Sequence, residues 1–130
     1  MTDYRVADGW NVAVGSLTVL NPQPMSTGMQ PSRRTYAVSG AVAEEAPFIE
    51  LEWSMVETPT QYIAILTYFG LQGLPPTYTN DVTIYLRNDL FSYQRYNGTA
   101  VRPEIGRDAK WSDYFPRDVK ILVKNLELPT

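Results

Sequence analysis

The sequence predicts a mainly β fold, an antiparallel β-sandwich or barrel-like domain with one flanking α-helix at about residues 59–69. Three observations carry this expectation. Apolar and polar residues alternate with a period of two around residues 48–55, 82–87 and 119–123, the pattern of strands with one buried face. Only the segment after Thr58 combines a helical period with start and stop signals. The chain has no Cys and no His, so no disulfide and no thiolate or imidazole metal site can staple it, and it folds by burial alone. With 130 residues, 44% of them apolar, the chain reads as one domain over residues 1–130 with ample material for a core.

Taken in order, residues 1–10 read as an extended N-terminal arm. Asn11 to Leu20 are rich in β-branched and apolar residues and stop at Asn21-Pro22, which suits a first strand with a bulge at Gly15. Residues 21–32 contain Pro22, Pro24, Gly28 and Pro31 and form a long proline-stiffened loop, because proline fixes φ and lacks an amide donor. Its Met25 and Met29 are flexible apolar side chains that adapt well to a partner surface or fold back on the core. Arg33 to Val42 alternates as a second strand, and Phe48 to Met55 is the clearest amphipathic strand: Ile49, Leu51, Trp53 and Met55 face one way, Glu50, Glu52 and Ser54 the other.

The period changes at Thr58-Pro59-Thr60-Gln61, where a capping Thr precedes Pro at the first helical position and Gln stands three residues after the cap. Tyr62, Ile65, Leu66 and Phe69 then fall at i, i+3, i+4 and i+7, and Gly70 with Leu71 supplies a left-handed stop. Ile63, Ala64 and Tyr68 leave the segment apolar almost all round, which keeps a buried strand as the alternative. Strand patterning resumes at Val82 to Arg87. A strand from Leu90 to Tyr96 meets Asn97-Gly98, a dipeptide suited to a tight hairpin turn, and Thr99 to Arg102 returns antiparallel. Residues 103–117 read as irregular, and Val119 to Val123 as the last strand. The total is six or seven strands and one helix.

Composition bounds the chemistry. Eleven Lys and Arg against fourteen Asp and Glu give a net charge of −3, without the positive field that nucleic-acid binding needs, so no direct nucleic-acid binding is expected. No apolar run approaches the ~20 residues of a membrane span, and no membrane association is expected. Residues 1–80 hold three bases and seven acids and residues 81–130 eight bases and seven acids, a mild asymmetry that suits ordinary scatter or head-to-tail contact between copies. Without His or Cys there is no Ser-His-Asp or Cys-His nucleophile system. Glu50 and Glu52 lie on one strand face about 7 Å apart, near the carboxylate spacing of glycosidases, but such pairs are ordinary solvated charges. There is no calcium loop spacing and no phosphate loop, so no cofactor, no metal and no small-molecule substrate are expected, and the protein is expected not to be an enzyme. Asn97-Gly98-Thr99 matches a glycosylation sequon and is more simply a turn.

Nine Tyr and three Trp suggest either carbohydrate stacking or subunit contacts. Trp53 and Tyr36 share faces with aliphatic residues and read as core. Met25, Met29, Tyr93, Tyr96, Trp111 and Tyr114 are the expected partner-binding residues, Tyr and Trp being enriched at interfaces.

The order of Trp53 to Met55, then Gln61 to Leu71, then Val82 to Asn88, then Tyr96-Asn97-Gly98-Thr99-Ala100-Val101-Arg102-Pro103 resembles small structural proteins of tailed bacteriophage virions. The resemblance covers about residues 33–126. It implies a β-rich subunit with one flanking helix that assembles in many copies and catalyses nothing, located in the virion and assembled in the host cytoplasm. Its partners would be copies of itself and other virion structural proteins. A tail, tail-tip or tube component is the first expectation; a capsid decoration protein, or a carbohydrate-binding module for host adsorption, is the alternative.

Overall fold

A computed structural model describes residues 3–21, 23–26, 29, 34–36, 42–44, 46–54, 56, 58–73, 78–88, 90–103, 109–112 and 115–129, with 34–36, 42–44, 109–112 and 115–118 described through their backbone. The alternation in residues 48–55 is realised as strand β5 (Ile49–Trp53), where Ile49, Leu51 and Trp53 are buried and Glu50 and Glu52 turn outward. The other strands are β1 (Arg5–Asp8), β2 (Thr18–Val19), β3 (Arg34–Tyr36), β4 (Val42–Glu44), β6 (Thr79–Arg87), β7 (Tyr93–Val101), β8 (Ala109–Ser112) and β9 (Phe115–Glu127). Among the described residues there is one α-helix, α1 (Pro59–Tyr68). The fold class is therefore the expected one, mainly β and antiparallel with a single helix.

The main sheet runs β2-β1-β6-β7-β9-β5, with β8 paired to β9, and every pairing is antiparallel; β3 and β4 form a separate ribbon. Met25 donates its N–H to the Glu52 carbonyl at 2.7 Å and accepts the Glu52 N–H at 2.9 Å. The chain just beyond β2, at one end of the strand order, thus pairs with β5 at the other end. A flat sheet would put Met25 about 29 Å from β2 at ~4.8 Å per strand spacing, whereas the six residues from Val19 to Met25 reach roughly 20 Å. The sheet must therefore curl to close, which is the barrel-like form.

Helix α1 owes its ends to local chemistry. Thr58 is extended and its hydroxyl accepts the Gln61 N–H at 3.2 Å, with Pro59 next in the first turn. At the other end the Leu71 N–H reaches the Leu66 carbonyl and the Gly70 N–H the Thr67 carbonyl, with Gly70 at φ +69°, the left-handed stop that glycine adopts without strain. Asn80 of β6 then donates to both the Phe69 carbonyl and the Asp8 carboxylate, fastening the helix end to β6 and β1. Ile65, Leu66 and Phe69 enter the core while Ile63 stays exposed, which resolves the helix-or-strand alternative. Thr58→Ala is expected to lower stability by about 1 kcal/mol, measured by urea unfolding, with helix content in the folded state unchanged.

Five expectations are corrected. Asn11–Leu20 is not a strand: Val14–Ser16 is a short 3-10 turn and only Thr18–Val19 pairs. The N-terminal arm is not free, because Arg5–Asp8 lies within the sheet between β2 and β6. Arg33–Val42 is not one strand, since Tyr36 pairs with Val42 across a hairpin; residues 37–41 lie outside the described residues. Asn97-Gly98 is no turn: β7 runs straight through it, Gly98 opposite Val82 and Asn97 opposite Thr83. The β6–β7 connection falls instead between Arg87 and Tyr93. Within 103–117, Ala109–Ser112 and the start of β9 are paired strands.

The core gathers Val6, Leu20, Ile49, Leu51, Trp53, Ile65, Phe69, Leu71, Val82, Ile84, Leu86, Ala100, Ile121 and Val123. A Cβ at Gly98 would come within 2.7 Å of the Val123 side chain and 3.0 Å of Leu126, so this position is glycine for close packing rather than for a turn.

Candidate functional site

Three features stand apart from the packing of the core. The first is a strap, residues 9–12, laid across the outer face of the β6–β7 hairpin. Thr83 Oγ1 accepts the Val12 N–H and donates to the Gly9 carbonyl, the Asn11 and Asn97 side chains and the Asn11 N–H exchange two bonds of 2.9 Å, and Trp10 donates its indole N–H to the Gly98 carbonyl. Arg95 donates to the Val12 carbonyl. The strap explains why Thr83 and Asn97 are buried although they point away from the core, and it buries the sequon's asparagine in the strand.

The second is the hairpin tip. Asn88 fixes it: its side-chain oxygen accepts the N–H groups of Leu90 and Ser92, its backbone N–H donates to the Ser92 carbonyl, and its own carbonyl accepts the Phe91 N–H. Phe91 sits at φ +59°, a left-handed conformation that costs a bulky residue about 1–2 kcal/mol. Leu90 is nonetheless 78% and Phe91 80% exposed, and the Arg87 guanidinium lies 5.5 Å from the centre of the Phe91 ring. On the same hairpin, a depression of about 470 Å³ is walled by Val14, Tyr85, Tyr93, Leu128 and Pro129 with Gln94 and Arg95.

The third is a cleft of about 500 Å³ where β5, β6, β7 and β9 meet the chain beyond β2. The outward alternation of β5 supplies Glu50 and Glu52, and the register sets Lys120 of β9 directly opposite Glu52. Arg87 and Tyr93 enter from the hairpin, and Tyr4 with Met25 and Ser26 closes the remaining side. Gln23 pins this side: it accepts the Tyr4 N–H at 2.7 Å and donates to the Tyr4 and Leu20 carbonyls. The Tyr93 ring stacks on Tyr85 at 5.8 Å and meets Tyr4 edge-on at 5.8 Å. Burial pushes the Tyr4 phenol above its ordinary range, with its hydrogen bond to Ser26 acting the other way, so it is a neutral donor at physiological pH.

Of the expected partner-binding residues, Met25 and Tyr93 come together in this cleft, Met25 69% exposed. Met29 packs partly buried against the core, its N–H bonded to the Arg87 carbonyl. Tyr96 is corrected: it stands opposite Ile84 on the core face and is buried, its hydroxyl near Asn88 and Gln94. Trp111 lies in β8 at a bulge opposite Pro116, its side chain outside the described residues, as is all of Tyr114. Leu90 and Phe91 escaped the sequence reading, although Asn88-Asp89 before Leu90-Phe91-Ser92 is a side-chain turn signal. Tyr4, Arg87 and Lys120 carried no local signal. Among the described residues no three acidic side chains stand close enough to hold a metal, and no helix is long and apolar enough to cross a membrane. No family model, curated protein or solved structure matches the chain.

Proposed function

We propose that the chain is a non-enzymatic structural subunit that works by contact with copies of itself and with neighbouring structural proteins, as a tail or tail-tip component of a tailed-phage virion. The observation that carries this reading is the hairpin tip. Within the monomer the Phe91 ring meets the Arg87 guanidinium but stays 80% exposed in a strained conformation; a subunit gains a rigid apolar knob whose ordering cost is met before association. The depression walled by Tyr85, Tyr93 and Leu128 with Gln94 and Arg95 lies on the same β6–β7 hairpin, and a protruding apolar knob together with a hollow of mixed aromatic and polar lining suits contact between copies. The particular setting rests on the resemblance of the segment order to that of virion structural proteins.

Light scattering over a concentration series tests it. The wild-type chain is expected to form a discrete oligomer or longer tubes, hexamers and tubes favouring the tail and a stable trimer favouring capsid decoration. The Leu90→Ser, Phe91→Asn double variant is expected to stay monomeric with its thermal midpoint undiminished, since Asn tolerates the left-handed conformation. Assembly of the variant at wild-type concentrations would remove the knob from the mechanism, and a wild-type chain monomeric throughout would defeat the subunit reading itself.

A further inference from the structure

We infer that the cleft between β5 and the Tyr4–Tyr93 pair is a binding site for a neutral saccharide, one or two sugar rings in size. Glu50 and Glu52 stand on one strand, and Arg87 and Lys120 face the same space. An anion such as phosphate would meet two carboxylates, and a metal cation would meet a guanidinium and an ammonium. A purely apolar ligand would strip water from four charged groups without replacing their hydrogen bonds, which is costly. A neutral polyhydroxyl compound suits all four, because each hydroxyl can donate to a carboxylate and accept from a cation.

The remaining wall supplies the other half of a sugar's chemistry. Tyr93, held by its stack on Tyr85 and its edge contact with Tyr4, and the side chain of Met25, whose backbone is paired with Glu52, give an apolar surface on which the C–H face of a ring packs. The Tyr4 phenol and Ser26 add neutral hydroxyls. The volume of about 500 Å³ falls within the range of small-molecule sites. A zwitterion such as a free amino acid is the nearest competitor. It requires separated poles, whereas Lys120 is set directly opposite Glu52 on the neighbouring strand, so a positive and a negative group stand side by side in the cleft rather than at its two ends.

Saturation-transfer NMR on the full chain, which tolerates any oligomeric state, tests this with glucose, galactose, N-acetylglucosamine, maltose, lactose and cellobiose, and with glycylglycine as the zwitterionic probe. At least one saccharide is expected to receive saturation with a Kd of about 1 mM, and Glu50→Gln and Glu52→Gln are each expected to weaken it about tenfold. Both side chains sit on the outer face of β5, so the thermal midpoint should not move, and Tyr93→Ala serves as a further variant. Absence of transfer to all six sugars overturns the proposal. So does transfer unchanged in both Gln variants, or transfer to glycylglycine alone. The outcome is independent of the light-scattering result for the hairpin tip.

Discussion

Phe69→Ala is expected to lower the stability of the isolated domain by about 3–5 kcal/mol, and its thermal midpoint by roughly 10–20 °C. Phe69 is fully buried and is the largest side chain that the end of α1 places in the core. Its ring meets Trp53 of β5 edge-to-face at 6.0 Å and 79°, a contact worth about 0.5–1.5 kcal/mol beyond area burial. The backbone at this position is fixed independently: its N–H bonds to Leu66, its carbonyl accepts from Asn80, and Gly70 closes the helix. The helix end therefore cannot slide inward to fill the space, and the cavity term applies nearly in full. Against a total stability of about 5–15 kcal/mol for a domain, the variant should remain folded only under mild conditions. Ile63→Ala, earlier in the helix on its exposed face, is expected to change stability by no more than about 0.5 kcal/mol. Equal losses in the two variants, read by urea unfolding, would show that α1 is not seated through Phe69.

The elements legible in the sequence are those whose cause is local. The alternation of β5 and the caps of α1 are written in neighbouring residues, so Ile49, Leu51, Trp53, Thr58, Phe69 and Gly70 take the roles their spacing indicates. Asn97-Gly98 looks like a turn for local reasons and is not one for tertiary reasons: Val123 and Leu126 press on Gly98, and the strap binds Asn97. The alternation of β6 and β7 fails at residues 82–84 and 96–98, where three consecutive residues are buried, because the strap covers the face that would otherwise be wet. Strand β1 carries too little pattern in four residues to stand out, and its place between β2 and β6 is decided by pairing. The cleft was half legible: Met25 and Tyr93 stood out by residue type and Glu50 and Glu52 by alternation. Tyr4, Arg87 and Lys120 join them only through the register of distant strands and the curl that Met25 completes.

Thr83→Val is expected to cost about 2–3 kcal/mol although the two side chains have nearly the same shape. Thr83 is fully buried, and its hydroxyl both accepts the Val12 N–H at 3.2 Å and donates to the Gly9 carbonyl at 2.7 Å. Valine preserves the branched strand geometry and leaves no cavity, so the loss isolates two hydrogen bonds and the desolvation of the strap groups that made them. Asn97→Ala removes a second anchor, the paired bonds to Asn11, at a similar cost. The Trp10 bond to Gly98 and the Arg95 bond to Val12 remain in either variant, so the loss of one anchor loosens the strap without releasing it. The second substitution then has less to remove. The double variant should therefore lose about 1 kcal/mol less than the sum of the two single ones. Amide exchange should rise at residues 9–12 in each single variant while α1 stays protected. Strict additivity with unchanged exchange at Val12 would mean that Thr83 and Asn97 stabilise the hairpin separately and that the strap is no cooperative unit.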